Sequence, residues 1–275
     1  MPTNLETSLQ RVAQFLSQAD SLIITAGAGM GVDSGLPDFR GTAGFWQAYP
    51  ALAKSGLRFE EIANPAHFIT DPELAWGFYG HRLNLYRSTV PHQGFHILQK
   101  WAEQLPYGAF VFTSNVDGQF QKSGIDPLRI LECHGSIHHL QCSSGCGNRT
   151  WLANGLNPVV DVENCRILSP LPTCPNCGSV ARPNILMFGD GGWLAHRKSE
   201  QQQRFVRWRD RVQSPVVIEL GAGTAIPSVR WFGEGQHCPL IRINPRESEV
   251  ERSSDVSIAR GALDGLQALD AVLLD

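Results

Sequence analysis

No apolar run in this chain of 275 residues approaches the ~20 residues that a bilayer-spanning helix requires. The opening Met1-Pro2-Thr3-Asn4-Leu5-Glu6 carries neither the basic segment nor the apolar core of a secretory leader. Both absences lead us to expect a soluble, cytoplasmic protein with no membrane partner. A cationic surplus is missing too. Lys+Arg 23 against Asp+Glu 26, a formal net charge of −3, leaves no electrostatic footprint for nucleic acid. Arg204, Arg207, Arg209 and Arg211 around Trp208 form the one local basic stretch, and their spacing reads more readily as the wet face of a helix than as a direct nucleic-acid surface. Internal repeats and low-complexity tracts are also lacking, which excludes solenoid and linker-like architectures.

What is present is a globular pattern. Hydrophobic residues make up 42% of the chain, enough for one large domain or a large and a small one. Residues 5–19 repeat apolar side chains at helical spacing through Leu9, Val12, Phe15 and Leu16. The short run Ser21-Leu22-Ile23-Ile24 that follows suits a buried parallel strand. Further strand candidates end in small or polar residues: 108–113 before Ser114-Asn115-Val116-Asp117-Gly118, 129–135, 215–220 before Gly221-Ala222-Gly223-Thr224, and 239–244. Helix and strand alternate as in an α/β nucleotide-binding unit, whose ligands sit at the carboxyl ends of strands. Residues 42–90 interrupt this order with aromatic-rich helical fragments, notably 74–86. The segment 91–101 reads as a helix, and 263–274 as a closing helix or strand.

The stretch from Thr25 to Gly41 organises the rest. Gly27, Gly29 and Gly31 break the first strand, let backbone amides approach a ligand, and lead into a helix whose amino end suits a phosphate. These glycines do not reproduce the full dinucleotide fingerprint, so an ordinary tight turn remains the other reading. Cys142-Ser143-Ser144-Gly145-Cys146 and Cys174-Pro175-Asn176-Cys177 are two close pairs flanked by Gly145, Gly147 and Gly178. That arrangement predicts a structural, tetrahedral zinc site of four thiolates rather than disulfides. Such a site has no open position for water, so the metal is expected to support folding. Among the nine histidines, His134 at the end of the 129–135 strand reads alone as either a hydrogen-bonded structural residue or a catalyst.

Taken in order, Ala26-Gly27-Ala28-Gly29, then Gly35-Leu36-Pro37-Asp38-Phe39-Arg40-Gly41, Ser114-Asn115-Val116-Asp117, Glu132-Cys133-His134-Gly135 and the four-cysteine module resemble the sirtuins, the NAD-dependent protein deacylases, from about residue 21 to 244. The resemblance implies an α/β fold: a Rossmann-like parallel-sheet large domain (1–41, 91–138 and 182–275) with a smaller helical plus zinc-ribbon domain (42–90 and 139–181). It implies NAD as co-substrate, structural zinc on Cys142, Cys146, Cys174 and Cys177, and acyl-lysine proteins or peptides as partners. The acyl group would pass to ADP-ribose as nicotinamide leaves, with His134 as general base on a ribose hydroxyl and Asn115 and Asp117 on the nicotinamide carboxamide. Further NAD contacts fall to Ala26, Gly27, Ala28, Asp38, Phe39, Arg40, Ser114, Gly221, Gly223 and Asn244. Phe39 would cover the reacting ribose face and Asn244 would reach the adenine ribose.

The chain departs from the family pattern at Gly31, at Ser114 and in the Gly221-Ala222-Gly223 loop, where polar side chains that touch NAD are replaced. Those changes lean toward a second reading within NAD chemistry, a mono-ADP-ribosyltransferase or NAD hydrolase; His134 leans back toward deacylation. A non-enzymatic NAD-sensing scaffold is the third reading. Phe188 and Gly189 resemble the segment beside the acyl-lysine tunnel, where peptide adds as a strand. Tyr79 and Arg82, on one helical face, are similar to a pair that reads succinyl, malonyl or glutaryl lysine. The alternative for that pair is a packed tyrosine and an exposed arginine.

Overall fold

The run Ser21–Ala26 is buried at every residue, so neither face reaches water; this requires a strand covered on both sides, as parallel sheets are. In the computed structural model, which describes residues 5–38 and 41–273, this run is the centre of the main sheet. In chain order the strands are β1 (Ser21–Ala26), β2 (Ala109–Thr113), β3 (Ile130–Glu132), β4 (Gly135–Cys142), β5 (Thr150–Leu152), β6 (Val160–Asp161), β7 (Arg166–Ile167), β8 (Ala181–Ile185), β9 (Pro215–Leu220), β10 (Leu240–Ile243) and β11 (Val256–Ile258). The helices are α1 (Leu5–Gln18), α2 (Gly41–Ala48), α3 (Pro50–Lys54), α4 (Phe59–Ile62), α5 (His67–Thr70), α6 (Pro72–Ser88), α7 (Gln93–Glu103), α8 (Gln119–Lys122), α9 (His196–Arg209), α10 (Ser228–Glu234) and α11 (Ala262–Leu273). None of them is long and apolar enough to cross a membrane, among the described residues.

The main sheet is parallel throughout, in the order β3-β2-β1-β9-β10-β11. This is the doubly wound order, and it reverses between β1 and β9. Side chains alternate across the pleat. Leu22 and Ile24 join α1, α7 and α11 through Val12, Leu98 and Leu266, whereas Ile23 faces Phe110, Phe205 and Trp208 under α9. A third cluster joins α2–α6 to the antiparallel sheet β5-β4-β8, with Phe45, Phe68, Trp76 and Tyr79 packed against Ile137, Leu140 and Ala181. Trp76 ties the two together by donating to the Ala181 carbonyl at 2.8 Å.

Two local expectations are corrected. After β1 the chain forms a 3-10 turn over Ala28–Ser34, not the expected α-helix, and Gly35 ends it in the left-handed region (φ 83°). The two glycines within it, Gly29 and Gly31, are poor helix formers, and the tighter i→i+3 bonding, such as Met30 N to Gly27 O, suits so short a piece. The expected strand 129–135 is likewise split. Pairing with β2 stops at Glu132, a turn carries Cys133 and His134, and Gly135 opens β4 in the other sheet.

Gly135 is the hinge of that passage. Its φ of +79° disfavours any other residue, and an added Cβ would stand 2.1 Å from the Asn184 carbonyl oxygen across the β4–β8 pair. Left-handed backbone alone costs ~1–2 kcal/mol for an L-residue, and the overlap with backbone adds to it. Gly135→Ala is therefore expected to lower the thermal midpoint by at least ~5 °C in a calorimetric scan. An unchanged midpoint would show that the strand pair does not approach as closely as described.

Candidate active site

The reversal between β1 and β9 leaves a crevice at the carboxyl ends of these strands, where doubly wound folds take ligands. Its floor is backbone packed on backbone. A Cβ on Gly27 would lie 2.8 Å from the Ala222 Cα, and one on Gly29 2.6 Å from the Gly221 Cα. Gly27 N donates to Leu220 O and Gly29 N to Gly221 O, both at 3.0 Å, so these amides bind the two loops to each other. Gly221 itself has φ +57°. The glycines are thus needed first for this loop-to-loop contact; Ala28, next to Gly27, is exposed, with Gly223 half-buried opposite.

The end of β2 adds polar groups. Ser114 N donates to Ala26 O at 3.1 Å, which lays the 114–117 loop against β1. Asn115 Nδ2 donates to Gly27 O at 3.0 Å, and its amide nitrogen donates to Thr113 Oγ1 at 3.0 Å. Asp117 is buried and accepts from Gln119 N at 2.9 Å. Burial raises its carboxyl to about 6, aided by the charge of Glu132 and opposed by that Gln119 bond and by Arg82.

His134 lies in the turn after β3 and is half-buried, with its ring hydrogen-bonded to the Ser114 backbone. Burial lowers its pKa from 6.5; the Ser114 bond works the other way. At neutral pH the imidazole is therefore uncharged. One ring nitrogen donates to the Ser114 carbonyl, which leaves the other with a lone pair able to take a proton.

The remaining expected residues fall into distinct places. Asp38 is half-buried and pairs with Arg246 at 3.1 Å; Phe39 and Arg40 lie outside the described residues. Asn244 is fully buried, donating Nδ2 to Ala222 O at 2.9 Å and accepting at Oδ1 from the amides of Arg246 and Glu247 at 3.0 Å. It clamps the loops after β9 and β10. Tyr79 and Arg82 are both buried in α6. Arg82 donates from Nε (2.9 Å) and Nη2 (2.6 Å) to Tyr86 Oη and lies 5.2–5.9 Å from the rings of Phe59, Phe78, Tyr79 and Tyr86. The alternative of an exposed arginine is thereby excluded. Phe59 in turn meets Phe188 edge-on at 6.1 Å, and Phe188 and Gly189 are exposed at the rim.

Several participants escape a sequence reading. Arg182 and Asp190 form a two-bond ion pair at 2.8 Å with side chains 2% and 0% exposed, and Asp190 also accepts from the amides of Met187 and Gly192. That pair pins the turn bearing Phe188-Gly189. Arg230 donates to Ala222 O and Glu247 accepts from Thr224 N and Oγ1, fixing the loop after β9. Only the clustering of arginine and acid at strand ends hints at these contacts in the sequence.

At the far end of β4 the four predicted thiols converge. All four Sγ atoms of Cys142, Cys146, Cys174 and Cys177 lie within 4.8 Å of one another, with 3.6 Å between Cys142 and Cys177 and between Cys146 and Cys174. Tetrahedral zinc with Zn–S near 2.3 Å needs sulfurs about 3.8 Å apart, so the cluster fits structural zinc. Eight residues of β4 separate it from the His134 turn, on the order of 25 Å of extended chain. The metal is thus structural.

A doubly wound parallel sheet with a polar crevice at its reversal point, joined to a smaller helical layer and a four-thiolate module, defines a Rossmann-like nucleotide-binding protein. The Sir2 family profile matches residues 27–226, and the chain belongs to the Sir2 family. A relative from Thermococcus kodakarensis named "NAD-dependent protein deacylase" is 33% identical over 91% of this chain and 90% of its own length. One from Archaeoglobus fulgidus named "NAD-dependent protein deacylase 1" is 29% identical over 90% of this chain and 91% of its own. A solved structure described as a Sir2 homolog–NAD complex matches with a TM-score of 0.73 at 25% identity, covering 96% of this chain and 93% of the other.

Proposed function

We propose that this chain is an NAD-dependent protein-lysine deacylase that releases nicotinamide and O-acyl-ADP-ribose. The observation that carries the reading is the neutral His134 imidazole, fixed on the Ser114 carbonyl beside the Asn115–Gly27 and Asp117 groups at the sheet reversal. When bound, NAD supplies a ribose carbon from which nicotinamide departs and the hydroxyl that receives the acyl group. His134 takes the proton of that hydroxyl on its open ring nitrogen. The Asn115 carbonyl and the Asp117 carboxylate accept from the two N–H groups of a carboxamide; Asp117, raised to about 6, is mostly ionised at neutral pH and loses this role as it protonates. Ala26, Gly27, Ala28, Gly221 and Gly223 offer backbone approach where side chains are small, with Ser114 beside them. Asp38, held by Arg246, flanks the cofactor; Phe39 is assigned to cover the reacting ribose and Arg40 to contact phosphate or ribose, and Asn244 holds the crevice wall in place.

The peptide partner adds along β8 and past exposed Leu186, Phe188 and Gly189, because β8 is an edge strand of the small sheet. The same reading divides the chain into an NAD-binding part (1–41, 91–138 and 182–275) and a helical, zinc-binding part (42–90 and 139–181). Arg82 selects the acyl group: a guanidinium within an aromatic shell, one ring removed from Phe188, favours a carboxylate-bearing acyl chain that reaches it. Arg82→Met is expected to lower kcat/KM for succinyl-lysine peptide at least ~10-fold more than for acetyl-lysine peptide, the size of one charge-assisted bond. Equal losses on both peptides would remove Arg82 from acyl selection. Release of nicotinamide that depends on added acyl-lysine peptide tests the activity itself.

A further inference from the structure

One open concavity of the described molecule does not belong to this site. It measures about 550 Å³ and opens at the amino-terminal edge of the main sheet, where β2 and β3 begin and α9 ends, so it faces away from the crevice. Arg129, Arg204, Arg207 and Arg211 line it together with Trp208 and Asp210. Four cations against one acid is an unusual lining for a protein with net charge −3. The arginines are also partly built in. Arg129 lies over the Trp208 ring at 5.8 Å and Arg211 over the Tyr107 ring at 5.8 Å, which holds their planes in place. Arg129 Nη1 and Arg204 Nε are buried nitrogens with no hydrogen-bond partner among the described residues. Buried N–H donors left unpaired are costly, and guanidinium groups brought side by side repel. Burial and the charge of Arg211 lower the Arg129 pKa accordingly.

We propose that this pocket binds a small phosphorylated anion, held by Arg129 and Arg204 within and Arg207 and Arg211 at the rim. Phosphate oxygens match the guanidinium fork and would satisfy both unpaired nitrogens while neutralising the crowded charge. The volume lies within the range of small-ligand pockets. Asp210 disfavours a purely inorganic anion and suits a ligand that also carries hydroxyl or amino donors, as a nucleoside phosphate does. Arg207 and Arg211 are exposed, as on a wet helix face, but Arg204 is half-buried and lines the pocket.

The test is calorimetric titration of the full chain with pyrophosphate and, separately, with a nucleoside diphosphate, at low salt, with the pocket variants separating this site from the crevice. One-to-one binding is expected, weakened at least tenfold by Arg204→Met and by the surface variant Arg211→Gln, with the NAD-dependent activity of both variants unchanged. A nucleoside diphosphate binding more tightly than pyrophosphate identifies an organic ligand, and equal affinities an inorganic one. No saturable binding, or the same affinity in parent and both variants, overturns the proposal. So does binding of single-stranded oligonucleotide where pyrophosphate fails.

Discussion

Replacing His134 with alanine is expected to lower kcat/KM for acyl transfer by roughly 10³-fold, within the range of a lost general base, while leaving NAD binding within a fewfold of the parent. The separation follows from the geometry. The His134 ring bonds the Ser114 carbonyl, whereas the loops themselves are held by Gly27–Leu220, Gly29–Gly221 and Asn244–Ala222 bonds that the substitution does not touch. The pH profile carries a second signature. Burial places the imidazole below 6.5, so activity is complete above that value and falls as pH drops through the lowered pKa, where the base becomes protonated. Asp117 at about 6 titrates on the same acidic side. The residual activity of His134→Ala should therefore retain only the Asp117 part of that limb. A variant within threefold of the parent, with its acid limb intact, would remove His134 from the chemistry.

Removing the metal is the second large effect. Four thiols gathered within 4.8 Å fit a single ion, and structural zinc of this type carries apparent binding energies on the order of 10 kcal/mol. Cys174→Ala, or prolonged chelation, is expected to bring zinc from one equivalent to below about 0.2 and to melt the segment between β4 and β8. Because β4 begins at Gly135 and Leu186 N bonds the His134 carbonyl, that loss propagates to the catalytic turn and abolishes activity with it. Purified parent protein without zinc, or a Cys174→Ala protein as stable as the parent, would contradict the assignment.

The fold was legible where burial is one-dimensional. β1, β2, β9 and β10 are apolar runs because parallel strands are covered on both faces, and each lies where its run predicts. β11 is three residues long, with one of them half-exposed, and carries too little pattern to find. The four cysteines were readable because a metal needs a fixed ligand count at close spacing. The crevice was harder. Its glycines announce close backbone approach but not to what, and here the partner is another loop of the chain, 194 residues away in sequence between Gly27 and Gly221. The 3-10 turn instead of a helix, the Arg182–Asp190 pair and the clamp made by Asn244 all depend on contacts between distant segments. Single-residue spacing holds no record of these. Arg82 shows the same limit: its helix was evident, its enclosure by four rings was not.

Acyl transfer to ADP-ribose at His134 is the central step of the proposed reaction. Mass spectrometry of reactions containing NAD and acetyl-, succinyl- or unmodified-lysine peptides, run with the parent and with His134→Ala, tests it most directly. Equimolar deacylated peptide, nicotinamide and O-acyl-ADP-ribose from the parent, absent from the variant, is the predicted result. Nicotinamide with ADP-ribose free in solution or attached to protein, and peptide that keeps its acyl group, would contradict it.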